Sequence, residues 1–212
     1  EQLQHANPAQ LPTGGALPAQ DVWKNVTVPM QRSDYAFDLN GDGRVDNQLG
    51  NIEGTLAGQN IDVQAQATQA VTSGQSLTLI DAHADDLVND DCAASDLEAA
   101  TAMASPDFSG AGHFTVDATG QVGHFAGPLV SGEFSSQPSP VVAATPVIVT
   151  LKMPFLGAVT TIDVVGAHVQ YTRGSDGKIS GGQLNGAIRN QDVGGKLVPN
   201  IAVSLTAQGQ AN

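Results

Sequence analysis

The chain has 212 residues and one cysteine, so it is long enough for one sizeable hydrophobic core and cannot form an internal disulfide. Its net charge of −13 argues against binding nucleic acid by phosphate neutralisation. Abundant glycine and few aromatic residues favour many short strands and turns over a helix bundle.

The first predicted segment is a flexible N-terminal tether over 1–20, which is rich in Gln, Pro, Ala and Gly. Such a tether is typical of a secreted protein, or of one with a lipid anchor upstream of residue 1. A first strand is predicted over 21–29. The rest of the chain, 21–212, predicts a single β-rich domain without a transmembrane segment.

Helices are predicted over three further segments: 47–56, 61–71, and from Ser95 to about residue 104. Asp46 or Asn47 can cap the first helix. The second segment also alternates like a strand, but its Ala and Gln content favours a helix. The third opens on a capping box, in which Glu98 stands three residues after Ser95.

The second half of the chain is dominated by predicted strands: 76–81, 127–134, 147–153, 160–172 and 178–188, with a hairpin joining 112–117 to 121–125. A closing helix is predicted over 196–207, with Pro199 in its first turn. The predicted fold is mainly β, an antiparallel β-sandwich or bent sheet with three or four short helices packed on it.

The run 38–46 carries the most specific chemistry in the sequence. Oxygen side chains stand at positions 1, 3, 5 and 9, and a glycine stands at position 6. This spacing predicts calcium coordination by Asp38, Asn40, Asp42, the backbone carbonyl of Arg44, and Asp46 directly or through water. Val45 is predicted to anchor the loop in the core. The alternative is an Asp/Asn/Gly turn without a metal.

This run resembles the EF-hand-type calcium loop of dockerins and thrombospondin type 3 repeats. The predicted loop extends over 38–49, and Leu49 stands at position 12, where an EF-hand has a bidentate Glu and dockerins have Asp. Dockerins also pair two such loops, and no second copy is present. The resemblance therefore implies a single structural ion, completed by water, Asn47, Asp34 or Asp192.

A looser similarity covers most of residues 35–205. The 38–50 run, a later Gly-Gly-Gln-Leu-Asn-Gly-Ala-Ile segment and a Pro-Asn-Ile-Ala segment are similar to uncharacterised surface lipoproteins of deltaproteobacteria. This similarity implies an extracytoplasmic location, either secreted, periplasmic or anchored at the outer membrane. It implies no activity.

An acidic stretch over 81–98 offers a second candidate cation site, with four potential ligands: Asp85, Asp86, Asp90 and Asp91. Like charges this close repel each other unless they are solvated or bound to an ion. A solvated acidic loop is the alternative. His83 with Asp85 could form a metal or acid–base pair, whereas a lone His in a strand more often hydrogen-bonds locally.

These features lead to an expected function. The chain predicts an extracytoplasmic calcium-binding surface protein, which serves as a binding or adhesive module for an unknown surface protein or glycan. A calcium-dependent hydrolase acting on glycans or peptides is the alternative. The scarcity of Glu and of aromatic residues weighs against the enzyme, and no residue is assigned a catalytic role.

Overall fold

A computed structural model of the protein describes residues 17–38, 42–45, 47–102, 105–136, 146–155 and 158–210. Among these residues, nine strands form one antiparallel sheet: β1 (Leu17–Val22), β2 (Leu77–Ala84), β3 (Asp90–Ala102), β4 (Phe114–Val116), β5 (Gly123–Val130), β6 (Glu133–Ser135), β7 (Ile148–Phe155), β8 (Ala158–Arg173) and β9 (Ile179–Ile188). The helices are α1 (Gln48–Ala57), α2 (Val63–Thr72), α3 (Asn190–Asp192) and α4 (Val198–Gln210), with a π-helical turn over Val193–Leu197. None of the described helices is long and apolar enough to cross a membrane.

The sixteen-residue strand β8 pairs with three other strands. β6 and β7 share one of its edges, and β9 occupies the other. The strand order is β1-β2-β3-β5-β6-β8-β7, and β4 also pairs with β3. β7 approaches β3, where Lys152 Nζ donates to Thr101 Oγ1 at 2.8 Å. The mainly antiparallel β prediction is confirmed, whereas the sheet does not close and the choice between sandwich and bent sheet stays a prediction.

The main hydrophobic core lies on one face of this sheet. Alternate residues of two strands point into it: Ile80, Ala82 and Ala84 of β2, and Ala167, Val169 and Tyr171 of β8. Tyr171 stacks on Phe134, with ring centroids 4.9 Å apart. Because side chains alternate along a strand, His168 points to the opposite face of β8 from its neighbours Ala167 and Val169.

Capping side chains start both helices that precede the second strand. Asn47 Oδ1 accepts from the Gly50 N–H at 2.9 Å and begins α1. Asp62 Oδ1 accepts from the Ala65 N–H at 2.8 Å and begins α2. The helices predicted over 47–56 and 61–71 are confirmed, and so is the closing helix, in which Pro199 is the second residue of α4.

The helix predicted from the Ser95–Glu98 capping box is wrong, because these residues lie in strand β3. Ser95 is fully buried and Leu97 packs in the main core, so alternate residues face inward as in a strand. β3 pairs with β2 on one edge and with β4 and β5 on the other. Pairing on both edges overrides the local helical preference of this Ala-rich segment.

Three further predicted segments differ from the structure. β4 and β5 both pair with β3 rather than with each other, so the predicted hairpin is wrong, although Gly120 N–H does donate to Asp117 O in a turn. The strand predicted over 127–134 is split by a turn between β5 and β6. Residues 17–20, assigned to the tether, belong to β1, while 1–16 lie outside the described residues.

Two glycines of β9 test the packing of this edge strand on β8. A Cβ at Gly186 would clash with Val164 Cγ1, whereas a Cβ at Gly181 would meet nothing within 4 Å. We expect Gly186→Ala to lower the free energy of unfolding by about 1–3 kcal/mol, because Val164 is stiff and the chain must shift. Gly181→Ala should not destabilise the protein, because its added Cβ meets no neighbour. It is a matched control, because both changes restrict the unfolded chain to the same extent. Urea denaturation measures both, and equal losses would contradict the packing.

Candidate functional site

The Asp38 carboxylate accepts hydrogen bonds from the part of the predicted cation loop that the structure describes. Its Oδ1 accepts from the Asp42 N–H at 3.1 Å, and its Oδ2 accepts from the Gly43 N–H at 2.7 Å. Gly43 has a φ of +80°, which glycine adopts without strain. Asp42 Oδ1 accepts from the Arg44 N–H at 2.9 Å. The chain thus turns back over Asp38, while Asn40 and Asp46 lie outside the described residues.

The two described carboxylates cannot hold calcium by themselves. The carboxylates of Asp38 and Asp42 supply at most four oxygens between them. Calcium takes about six to eight oxygens, however. In the part of the chain that the structure describes, no three His, Cys, Asp or Glu side chains form a metal-binding group. A complete shell would need Asn40, Asp46, the Arg44 carbonyl or water besides Asp38 and Asp42.

The three residues proposed to complete the shell all have local bonding partners. Asp34 Oδ2 accepts from two backbone N–H groups, those of Met30 and Gln31. Asn47 Oδ1 caps α1, and its Nδ2 donates to the backbone carbonyl of Asp34. Asp192 pairs with Lys196 at 2.8 Å. Asp34 and Asn47 therefore close the base of the loop by bonding to each other, and water becomes the expected source of further ligands.

The loop is anchored one residue before its start, not at Val45. The side chain of Val45 is 45% exposed, so the prediction that it anchors the loop in the core is wrong. Phe37, which directly precedes Asp38, stacks on His168 of β8 with ring centroids 4.9 Å apart and planes 23° apart. This contact fixes the position from which the chain enters the loop.

His168 itself is held by a buried serine that the sequence analysis did not single out. Ser136 Oγ lies 2.8 Å from His168 Nδ1 and accepts from the Val169 N–H at 2.9 Å. Ser136 and His168 are both buried, and His168 Nε2 has no partner among the described residues. Burial lowers the pKa of His168, and the backbone of Ser136 partly offsets that shift. No local sequence signal links Ser136 to His168, because only the pairing of β6 with β8 brings them together.

The four aspartates of the second candidate cation site serve as turn residues where the structure shows their bonds. Asp90 accepts from the Asp85 N–H at 2.6 Å and from the Cys92 N–H at 2.8 Å, and Asp86 accepts from the Val88 N–H at 2.8 Å. Asp91 is exposed. These bonds close the turn between β2 and β3, and the geometry lends the second site no support.

A different acidic group lies on the outer face of the sheet. Asp81 of β2 stands opposite Asp96 of β3, which stands opposite His124 of β5. His124 Nδ1 lies 2.9 Å from Asp96 Oδ1, and His83 Nε2 lies 3.4 Å from Asp81 Oδ2. Burial, followed by repulsion from Asp96 and Asp81, raises the pKa of Glu98 beside them. Strand alternation along β3 could have revealed this group, but the predicted helix concealed it.

Glu53 on α1 is a second buried ionisable group that the sequence analysis missed. Its side chain has no solvent exposure, and neither carboxylate oxygen has a partner among the described residues. α1 lies close to the preceding segment because Gly50 and Gly54 face the backbone carbonyls of Gln31 and Met30. Burial raises the pKa of Glu53 from 4.5 to about 7.

Comparison with known proteins adds no assignment to this geometry, because no protein-family model, curated protein or solved structure matches the chain. The resemblance of 38–46 to EF-hand-type loops therefore rests on the spacing of its residues. The groove between α1 and α4 adds no chemistry, since its lining residues do not ionise: Asn51, Ile52, Thr55, Leu56, Gln59, Ile201 and Leu205.

The buried carboxyl of Glu53 predicts a pH-dependent effect of Glu53→Gln. In the folded state the proton is held up to about pH 7, but in the unfolded state it is lost above 4.5. Glu53 therefore makes the protein less stable as pH rises from 4.5 to 7, by up to about 3 kcal/mol. Compared with the parent, the variant should gain stability through this window and keep a constant advantage above it.

Chemical denaturation at several pH values between 4 and 8 measures this difference. A matched control is Glu133→Gln, which removes an exposed carboxylate of β6 and should leave the pH dependence unchanged. A stability difference between Glu53→Gln and the parent that does not vary with pH would contradict the prediction.

Proposed function

We propose that this protein binds one structural calcium ion in the loop 38–46 and serves as an extracytoplasmic surface module. The observation that carries the proposal is the double acceptor role of Asp38, which receives the N–H groups of Asp42 and Gly43. These bonds bring the carboxylates at positions 1 and 5 of the motif into one turn. Their mutual repulsion favours a bound cation.

A structural role, rather than a sensing one, fits the surroundings of the loop. Phe37 is stacked on β8 at one end, and Asn47 caps α1 at the other. Both ends are held by contacts that involve no ion. Binding should therefore stabilise the loop between fixed ends and cause little rearrangement elsewhere.

The expected affinity supports a location outside the cytoplasm. Leu49 replaces the bidentate acid at position 12, so calcium loses up to two ligands. Loops of this kind in extracellular modules bind in the range of about 0.1–1 mM. Such a site fills only where calcium is abundant. The net charge of −13 also suits a protein whose carboxylates are partly neutralised by cations.

A binding or adhesive role fits the described residues better than hydrolysis does. The hydrolase alternative requires two carboxylates, or His83 with an aspartate, in a deep cleft. His83 meets Asp81 at 3.4 Å, but both side chains are about one third exposed on an open sheet face. We therefore favour a surface protein or a glycan as the partner.

Calcium should raise the melting temperature of the parent, and chelation should lower it again. At a free calcium concentration a hundredfold above Kd, binding adds about 2.7 kcal/mol to the free energy of unfolding. For a chain of this size that corresponds to roughly 5–10 °C. The double variant Asp38→Asn/Asp42→Asn keeps an acceptor oxygen at each position but removes the charge, so its melting temperature should not respond to calcium.

The matched control is Asp176→Asn, which changes an exposed aspartate in the turn between β8 and β9, where Asp176 accepts from the Lys178 N–H. This variant should respond to calcium as the parent does. Identical melting curves of the parent in calcium and in chelator would contradict the proposed calcium site. Binding screens against glycan and protein arrays, with and without calcium, then test the adhesive role.

A further inference from the structure

We infer that His168, fixed by Ser136, is the positioning residue of the cation loop, and that only its neutral form places Phe37 and hence Asp38 for binding. The inference rests on the proposed calcium site and adds the contact that sets its geometry. Phe37 is one peptide bond from the first ligand, so its position sets where Asp38 begins. Its ring stacks on His168, and its backbone forms an isolated β-bridge.

The imidazole has little freedom to move. Ser136 N–H donates to the Val169 carbonyl at 2.9 Å, and Val169 N–H donates to Ser136 Oγ at 2.9 Å, so β8 holds the serine at two points. Ser136 Oγ also lies 2.8 Å from His168 Nδ1, so the same hydroxyl that β8 holds is hydrogen-bonded to the imidazole.

Neighbouring contacts reinforce the same attachment. Asn185 of β9 stands opposite His168 in the strand register. Gln183 Nε2, on the same strand, donates to the Tyr35 backbone carbonyl at 2.7 Å and to Asn185 Oδ1 at 3.1 Å. The segment that leads into the loop is therefore attached to the outer side of β8 and β9 at two successive places, Tyr35 and Phe37.

Protonation of His168 would disrupt this arrangement. Protonation would place a positive charge on a ring that is only 3% exposed. The groups that the structure shows at the ring are uncharged: Ser136, Phe37, and Asn185 opposite it on β9. Burial lowers the pKa of His168, the Ser136 backbone partly offsets that shift, and no charged group is among the causes. A cation–π contact with Phe37 is weaker than the cost of burying an unpaired charge.

Calcium binding and protonation of His168 should therefore oppose each other. When Phe37 undocks, His168 gains solvent and recovers an ordinary pKa near 6.5. Below about pH 6.5 protons thus favour the undocked loop, and calcium affinity falls. Comparison of the parent with a variant that has no ionisable ring at position 168 isolates the contribution of His168.

Isothermal titration calorimetry with calcium chloride at pH 7.5 and 5.5 tests the inference on the full chain. The parent should lose affinity about three- to tenfold at the lower pH. His168→Phe keeps a flat ring beneath Phe37 and cannot be protonated, so it should bind as the parent does at pH 7.5 and lose the pH dependence. His168→Ala should bind about tenfold more weakly at pH 7.5. The control His113→Phe, at an exposed position, should behave as the parent.

Parent-like pH dependence in His168→Phe, or parent-like affinity in His168→Ala, would overturn the inference. Circular dichroism of each variant confirms folding before titration. A second measurement needs no calcium: the ring signals of His168, assigned by their loss in His168→Phe, are followed by NMR through a pH titration. A midpoint below the ordinary value of 6.5 supports the buried stack, and a midpoint at 6.5 or above overturns it. If the parent fails to bind calcium at pH 7.5, the proposed function fails instead.

Discussion

Hydrogen bonding on both edges of β8 determines where the other described layers of the molecule lie. Because β6 and β7 share one edge and β9 takes the other, this strand has two fixed faces. One face supplies the main core. Leu197 extends the packing on that face by contacting Ile162, and Phe37 stacks on His168 on the opposite face. The position of the candidate cation loop is therefore a consequence of strand pairing that is completed far from it in sequence.

Local rules were enough to predict much of the fold from the sequence. Capping residues and helical spacing identify α1 and α2, and alternation identifies β2, β7, β8 and β9. The same rules failed at β3, where a capping box and an Ala-rich stretch favour a helix. A capping box indicates only which conformation the isolated segment would favour. Pairing with β2 on one edge and with β4 and β5 on the other recovers more free energy than one capped helix of that length.

The candidate site, like the fold, could be predicted only in part from the sequence. Spacing alone predicts that Asp38 and Gly43 lie in one tight turn, because a carboxylate at position 1 can reach the backbone N–H groups that follow it. Spacing cannot predict what holds the turn in place. Val45 fits the pattern of a core anchor, yet the structure leaves it half-exposed and uses Phe37 instead. The partners of that anchor, His168 and Ser136, come from β8 and the end of β6, so only tertiary structure reveals them.

Two buried ionisable groups, one on α1 and one on β8, favour their neutral forms in opposite pH directions. Glu53 on α1 favours its protonated, neutral form, and His168 favours its deprotonated, neutral form. At pH 7 the Glu53 carboxyl is about half ionised, because its pKa is about 7, whereas burial favours the neutral form of His168. Because the contacts of Phe37 and Asn47 hold both ends of the loop, the proposed ion would serve only to relieve the repulsion between Asp38 and Asp42. That limited task is consistent with a site that lacks an acid at position 12.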